Sequence, residues 1–330
     1  MISAGLFLID FAMTDTAMIF AAGLGTRLRP ITDSIPKALA PAGGSTLLHC
    51  LVAKLYRAGI RHFVVNVHHL PNKIIDYIKE DPFLSSLHVY VSDESDLLRD
   101  TGGGIRFAEN LVEATGADEF LVHNVDIVSD LDIAAFCTPL MSAMNFPPVS
   151  EGAKSNPQGL SPFPSGLADN RECISNTRAS MLSGEIDEHP LAKLVVSQRK
   201  TSRYLLFAKD GTLAGWKNIS TGEVKTPWQD IEPERCIMRA FGGIHLISRD
   251  IYKIFRDVDN SPEDYPLYDS ERRLIPSSLT PLGEKFSIID FYLRVAAKHH
   301  IYMYEPEHLT LIDAGKIDTL AEADSFLRRK

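Results

Sequence analysis

Two cationic side chains, Arg27 and Lys37, lie ten positions apart in a glycine-bearing stretch. It reads Ala22-Gly23-Leu24-Gly25-Thr26-Arg27-Leu28-Arg29-Pro30 and then, after a short gap, Pro36-Lys37-Ala38-Leu39. Directly before it comes an apolar run, Met18-Ile19-Phe20-Ala21-Ala22, which predicts a buried strand. A strand that opens into a glycine loop carrying Arg and Lys is suited to holding phosphates. Glycine lets backbone N–H groups approach an anion closely, and the cations neutralise charge that backbone dipoles leave over. Two familiar phosphate loops do not fit. A dinucleotide-binding fingerprint wants a third glycine where Leu28 stands, and an acidic residue where the second strand instead ends Val65-Asn66-Val67-His68-His69. A Walker A loop wants G-K-[ST], which does not follow. A plain surface turn is the remaining alternative, and the Thr26-Arg27-Leu28 and Pro36-Lys37 pairing argues against it.

These residues need elements to position them. Helical spacing of Leu47, Leu48, Leu51, Val52 and Leu55 predicts a helix over 45–58, with Ser45 or Thr46 as cap and Gly59 as stop. Strands are expected at 18–22, 62–67, 87–91 and 119–125, with helices at 71–79 and 103–112. This alternation implies an α/β fold with a mostly parallel sheet covered on both faces, and ligands at the carboxyl ends of its strands. The glycine loop, Asn66, the Thr101-Gly102-Gly103-Gly104 turn and Asp126 all follow strands and gather on that edge. Further on, 192–197 and 203–207 read as a hairpin, followed by strands at 212–216, 238–247, 300–304 and 310–313. Helices are expected at 248–256, 270–279, 290–298 and 316–327. Residues 139–186 hold Pro139, Pro147, Pro148, Pro157, Pro162 and Pro164 among many Ser, Gly and Asn, with no apolar period. They read as an insertion, either a flexible surface loop or a substrate lid.

The loop motif resembles the signature of sugar-1-phosphate nucleotidylyltransferases, enzymes that join a nucleoside triphosphate to a sugar 1-phosphate and release pyrophosphate. Three further segments resemble the family's in the same order: Asp100-Thr101-Gly102-Gly103-Gly104-Ile105, Phe120-Leu121-Val122-His123-Asn124-Val125-Asp126, and Thr310-Leu311-Ile312-Asp313-Ala314-Gly315. The nearest subgroups by these motifs are the N-acetylmuramate-1-phosphate uridylyltransferases and mannose-1-phosphate guanylyltransferases. The resemblance implies a Rossmann-like three-layer sandwich of the nucleotide-diphospho-sugar transferase type, with a mixed, mostly parallel sheet. It implies an N-terminal extension over 1–17 and a catalytic domain over 18–330, interrupted by the insertion. It also implies roles. Arg27 would bind the departing β and γ phosphates, and Lys37 would bridge the α-phosphate and the sugar phosphate. Ala22, Gly23, Gly25 and Thr26 would hold the nucleotide, and Thr101, Gly102 and Gly103 would contact the base, although that turn is equally a plain helix entry. Asn124 and Gly243 would lie on the sugar side, with a bulge as the alternative for Gly243. Lys217 would hold the sugar phosphate, a role for which Arg199 and Arg203 also stand. Asp126 and Asp313 would ligate Mg²⁺, although either Asp by itself is more commonly a cap or turn carboxylate. Leu311 replaces the family's Trp in the last motif.

Composition narrows the partners. The 330-residue chain is 45% apolar with a formal net charge of −9, ample for a core and without the basic excess of a nucleic-acid binder. Cys50, Cys137, Cys173 and Cys236 lack paired C-x-x-C spacing, which argues against a zinc cluster or a disulfide framework and fits a reducing cytoplasm. The apolar start, Ile2 to Ile9, lacks a basic flank and is broken by Asp10, so it reads as a dispensable extension and neither a signal peptide nor a membrane span. The expected partners are a nucleoside triphosphate (UTP first) and a sugar 1-phosphate, in a monomer or small homo-oligomer, with no nucleic acid and no membrane. A non-catalytic nucleotide-sugar sensor is the second reading, and retention of Arg27, Lys37, Asp126 and Asp313 together argues against it. A nicotinamide-dependent oxidoreductase is the third, opposed by Leu28.

Overall fold

The computed structural model describes residues 13–141, 173–174 and 189–329. The first five sheet and helix elements are β1 (Thr16–Phe20), α1 (Ile31–Ser34), β2 (Pro41–Ala42), β3 (Ser45–Thr46) and α2 (Leu47–Arg57). β4 (His62–Val67), α3 (Pro71–Glu80), β5 (His88–Asp93), α4 (Asp100–Phe107), α5 (Glu109–Glu113) and β6 (Glu119–Asn124) continue the alternation. β1 pairs in parallel with β4 and β6, and β4 with β5, so the order runs β5-β4-β1-β6. The helices form for the reasons written in the sequence. Thr46 caps α2 by accepting from the His49 N–H at 3.1 Å, and Leu47, Leu48, Leu51, Val52 and Leu55 turn one buried stripe to the sheet. Pro71 opens α3, where its missing N–H costs nothing.

Beyond β6 the chain changes direction. After β7 (Ile127–Ser129) and α6 (Ile133–Phe136) come β8 (Ala192–Ser197), β9 (Arg203–Phe207), β10 (Leu213–Asn218), β11 (Val224–Lys225) and β12 (Ile237–Ser248). α7 (Ile251–Asn260), α8 (Ile288–Val295), β13 (Ile301–Tyr304), β14 (Leu311–Asp313) and α9 (Ile317–Leu327) complete the described elements. β12 runs antiparallel to β6, β8 and β9, while β13 adds to β8 in parallel, which closes a ten-stranded mixed sheet. Apolar side chains pack on both faces. Leu48, Leu121 and Phe136 lie within one cluster, and Phe120, Phe255 and Phe291 within the other.

Three expectations are corrected. Strands β8 and β9 do not form a hairpin with each other. β12 is long enough to take β8 along 240–247 and β9 along 237–239. No α-helix covers 270–279. The Asp269 carboxylate accepts from the Glu271 and Arg273 N–H groups at 2.8 and 3.0 Å, Arg272 adopts φ 64°, and Pro276 leaves only a short 3-10 turn, Pro276–Leu279. The N-terminal boundary moves from 17 to before 16, because Thr16 and Ala17 already pair with His62 and Phe63 in β1. Most of the expected insertion lies outside the described residues. Its Cys173 and Ile174 are buried on the sheet, where Glu232 N–H donates to the Cys173 carbonyl at 2.8 Å and Ile174 bridges Ile231.

Candidate active site

The end of β1 is held on both sides. Phe20 lies opposite Asn66 on β4 and Asn124 on β6, so the glycine loop leaves the sheet between two amide side chains. Asn66 Oδ1 accepts from the Ala21 and Ala22 N–H groups at 2.7 and 3.2 Å. The loop then turns at Gly25, whose φ of 63° suits glycine, and a Cβ there would stand 2.7 Å from Thr32 Cγ2. Thr32, itself buried, donates its hydroxyl to the Gly25 carbonyl at 2.7 Å and the Leu28 N–H donates there at 2.8 Å. Buried Leu28 anchors the loop, while Gly23, Thr26 and Arg27 remain exposed.

Four charged side chains from three distant parts of the sequence meet beside this loop. Lys37 Nζ forms an ion pair with Asp126, and Arg27 lies 3.6 Å from Asp313. The two carboxylates come together because β14 pairs with β7. Asp313 lies opposite Ile127, and the Ala314 N–H donates to the Asp126 carbonyl at 2.8 Å. Gly315 sits in their midst: a Cβ there would stand 2.6 Å from both Arg27 NH2 and Asp313 Oδ1 and 3.2 Å from Lys37 Nζ. The inner pair is sheltered, with Lys37 and Asp126 side chains 13% and 14% exposed. The outer pair opens to solvent, with Arg27 and Asp313 at 55% and 36%. A polyanion entering from solvent therefore meets Arg27 first and Lys37 last.

The donor set bears on a metal. Among the described residues no group of three or more His, Cys, Asp and Glu could hold an ion. Asp126 and Asp313 would supply two carboxylates, leaving the remaining positions to substrate phosphates and water. That pattern fits Mg²⁺ and not a structural zinc.

The other expected residues divide. Asn124 and Gly243 do meet: β12 bulges between Phe241 and His245, Gly243 takes φ 73°, and a Cβ on it would stand 2.8 Å from Asn124 Nδ2. Thr101, Gly102 and Gly103 are committed elsewhere. The Gly102 and Gly103 N–H groups donate to the Phe286 carbonyl at 2.9 and 3.2 Å, and Thr101 Oγ1 accepts from the Ile288 N–H at 3.0 Å. A Cβ on Gly103 would collide with the Glu284 carbonyl oxygen. This turn ties α4 to the segment before α8, and the Gly102 and Gly103 N–H groups are engaged there. Lys217 lies on β10, 3.9 Å from Glu234, and joins no ion pair with the four-residue cluster. Arg199 donates to the Phe241 carbonyl at 3.1 Å, beside the bulge.

Two residues escaped the sequence reading. Gly315 stood in a quoted motif, but its role depends on side chains that only the fold assembles. Glu94 was hidden because the expected third strand stopped at 91, two residues short of the end of β5. Its carboxylate is fully buried and accepts from Asn66 Nδ2 at 2.8 Å and the Arg99 N–H at 3.2 Å. Burial pushes its pKa up, against the pull of those two hydrogen bonds.

Residues 16–145 match the model of the nucleotidyl transferase family. The motifs at 22–39, 101–105 and 120–126 all fall within that match. Over 114 residues the chain is 36% identical to N-acetylmuramate alpha-1-phosphate uridylyltransferase of Caulobacter vibrioides, covering 34% of this chain and 46% of that protein. Over 118 residues it is 33% identical to mannose-1-phosphate guanylyltransferase of Mycobacterium tuberculosis, covering 36% and 32%. The matches thus span about half or less of these relatives' length. The fold likeness extends further. HddC from Yersinia pseudotuberculosis complexed with GMP-PN superposes with a TM-score of 0.55 at 18% identity, over 95% of this chain and 99% of that one. A UDP-glucose pyrophosphorylase complexed with UDP-glucose gives 0.56 at 14% identity, over 96% and 100%. At these identities the likeness is one of fold: a mixed sheet with helices packed on both faces.

Proposed function

We propose that this protein transfers a nucleotidyl group from a nucleoside triphosphate to a sugar 1-phosphate, releasing pyrophosphate and forming a nucleotide sugar. The observation that carries the proposal is the convergence of Arg27, Lys37, Asp126 and Asp313 around Gly315 at the mouth of the glycine loop. In the reaction a phosphate oxygen of the sugar 1-phosphate attacks the α-phosphorus. The bond between that phosphorus and the α–β bridging oxygen breaks, and pyrophosphate departs with both electrons. No side chain need act as nucleophile. The protein's work is to hold two polyanions in line and to neutralise the charge that builds on the α-phosphoryl oxygens.

Arg27, exposed and forked, takes the β and γ phosphates, exchanging its contact with Asp313 for theirs. Lys37, deeper, takes the α-phosphate and the incoming sugar phosphate as it leaves Asp126. Asp126 and Asp313 would hold Mg²⁺, which would supply further charge neutralisation when bound. Asn124, beside the Gly243 bulge, faces the sugar side, where Lys217 and Arg199 remain the candidate holders of its phosphate. UTP is the favoured nucleotide, since the uridylyltransferases of Caulobacter vibrioides and Neisseria meningitidis are each 36% identical over the matched stretch. The protein is assigned to the cytoplasm and to nucleotide-sugar supply for the cell envelope. Among the described residues no helix is long and apolar enough to cross a membrane. The test is pyrophosphate release with Mg²⁺ over a grid of five nucleoside triphosphates and the 1-phosphates of glucose, mannose, N-acetylglucosamine and N-acetylmuramate. Turnover in the UTP row supports the reading in full. Turnover in the GTP row corrects the base, and binding of nucleotide without turnover anywhere favours the sensor.

A further inference from the structure

We propose that Glu94 is a positioning residue for the nucleotide loop, acting through Asn66; the proposal rests on the nucleotidyl-transfer reading. Glu94 is 0% exposed, so it touches no substrate. A carboxylate in that position is costly unless its lone pairs are engaged, and here both oxygens are. Oε1 accepts from Asn66 Nδ2 at 2.8 Å and Oε2 from the Arg99 N–H at 3.2 Å. Both oxygens of this carboxylate are thus acceptors. The carboxylate therefore fixes which end of the Asn66 amide points toward it, and so leaves Oδ1 pointing at the loop. That oxygen takes the N–H groups of Ala21 and Ala22, the last two residues before Gly23. The result is a directed chain of hydrogen bonds from the end of β5, through the end of β4, to the first residues of the loop.

Two details show that the fold makes room for this chain. Glu94 is held at its own backbone, its N–H donating to the Val67 carbonyl at 2.8 Å and its carbonyl meeting His68 Nδ1 at 2.6 Å. Gly104, the third glycine of the turn on α4, packs against it: a Cβ there would stand 2.9 Å from Glu94 Oε1 and 3.3 Å from Asn66 Nδ2. The relay thus leaves no room for a side chain at 104.

The polarity of the relay supplies its own test. In Glu94→Gln the new amide must turn its NH₂ toward either Asn66 Nδ2 or the Arg99 N–H, so two donors face each other. In Asn66→Asp two carboxylates face each other. In the double variant, Asn66→Asp with Glu94→Gln, the carboxylate at position 66 accepts from the loop and from the amide NH₂ at position 94. The oxygen of that amide accepts from the Arg99 N–H. Donors and acceptors match again, and the relay carries the same net charge. Two readouts are taken on wild type, both singles and the double: hydrogen exchange at the Ala21 and Ala22 amides without ligand, and UTP and GTP affinity by calorimetry with Mg²⁺. The expected result is at least tenfold faster exchange and at least tenfold weaker nucleotide binding in each single. The double should recover to within about threefold of wild type on both readouts. A general loss of packing would not be repaired by the second substitution, and should a single fail to fold, the double alone should be folded and bind. Wild-type exchange and affinity in the singles, or a double no better than the worse single, would overturn the relay. A wild-type protein that protects both amides yet binds no triphosphate would overturn the nucleotidyl-transfer reading and with it the relay's role in binding.

Discussion

At the scale of single residues the site is an arrangement of charge. Lys37 and Asp126 neutralise each other in a sheltered position, and Arg27 and Asp313 do so at the entrance. On the proposed function, removing one partner at this site should remove charge stabilisation from the transition state. Lys37→Ala is expected to lower turnover by about 10²–10³-fold, the loss associated with one preorganised donor, which steady-state kinetics will read. Asp126→Ala should abolish Mg²⁺-dependent turnover while its circular dichroism stays that of a folded protein, with a lowered melting temperature because Lys37 loses its sheltered partner. Gly315→Ala places a methyl group among Arg27, Lys37 and Asp313. It should raise the KM for nucleoside triphosphate more than it lowers stability, and an unchanged KM would count against the convergence of those side chains. Much of this was legible in the sequence, because the loop motif names Arg27 and Lys37 and the strand ends name Asp126. Their pairing was not legible, since it depends on β14 meeting β7 across more than half of the chain.

At the scale of elements, the Thr101-Gly102-Gly103-Gly104 turn is a joint between α4 and the segment leading into α8. Each glycine answers to a different neighbour: Gly102 to the Phe286 ring, Gly103 to the Glu284 carbonyl, Gly104 to Glu94. Gly103→Ala is predicted to cost about 1–3 kcal/mol by overpacking, read as a lowered denaturant midpoint. A neutral result would mean that the joint yields easily. Through β6 the sequence reading placed β1, α2, β4, α3, β5 and β6 to within a few residues, since period and caps are local signals there, but it did not anticipate the short α1, β2 and β3 and read α4 and α5 as one helix. It failed at β8 and β9, where two short strands with a five-residue connection look like a hairpin. A third strand of 12 residues claims both. It failed again at 270–279, where a side chain of Asp269 captures backbone donors that a helix would need.

For the whole molecule, the sheet's interior carries two histidines that fold neutral. Burial pushes His123 and His245 down to about 3 from an ordinary value of 6.5. The unfolded chain binds more protons than the folded one between those values. Stability is thus fully present above about pH 6.5 and falls as the pH drops toward 3, at up to about 1.4 kcal/mol per pH unit for each histidine. Thermal melts from pH 7 to 4 should show this slope, and His123→Leu should make it shallower. A melting temperature flat across that range would contradict the neutral, buried state of both rings. The same sheet carries β1, β4 and β6 into the site with their carboxyl ends together, so acid weakening of the scaffold should loosen the loop.

The proposed function turns on attack of the sugar phosphate at the α-phosphorus with displacement of pyrophosphate. The most direct test uses sugar 1-phosphate labelled with ¹⁸O in its terminal phosphate oxygens, turned over with unlabelled nucleoside triphosphate and Mg²⁺, with both products weighed by mass spectrometry. All of the label should be found in the nucleotide sugar, and the pyrophosphate should be unlabelled. Label in the released pyrophosphate or in inorganic phosphate would contradict the proposed function.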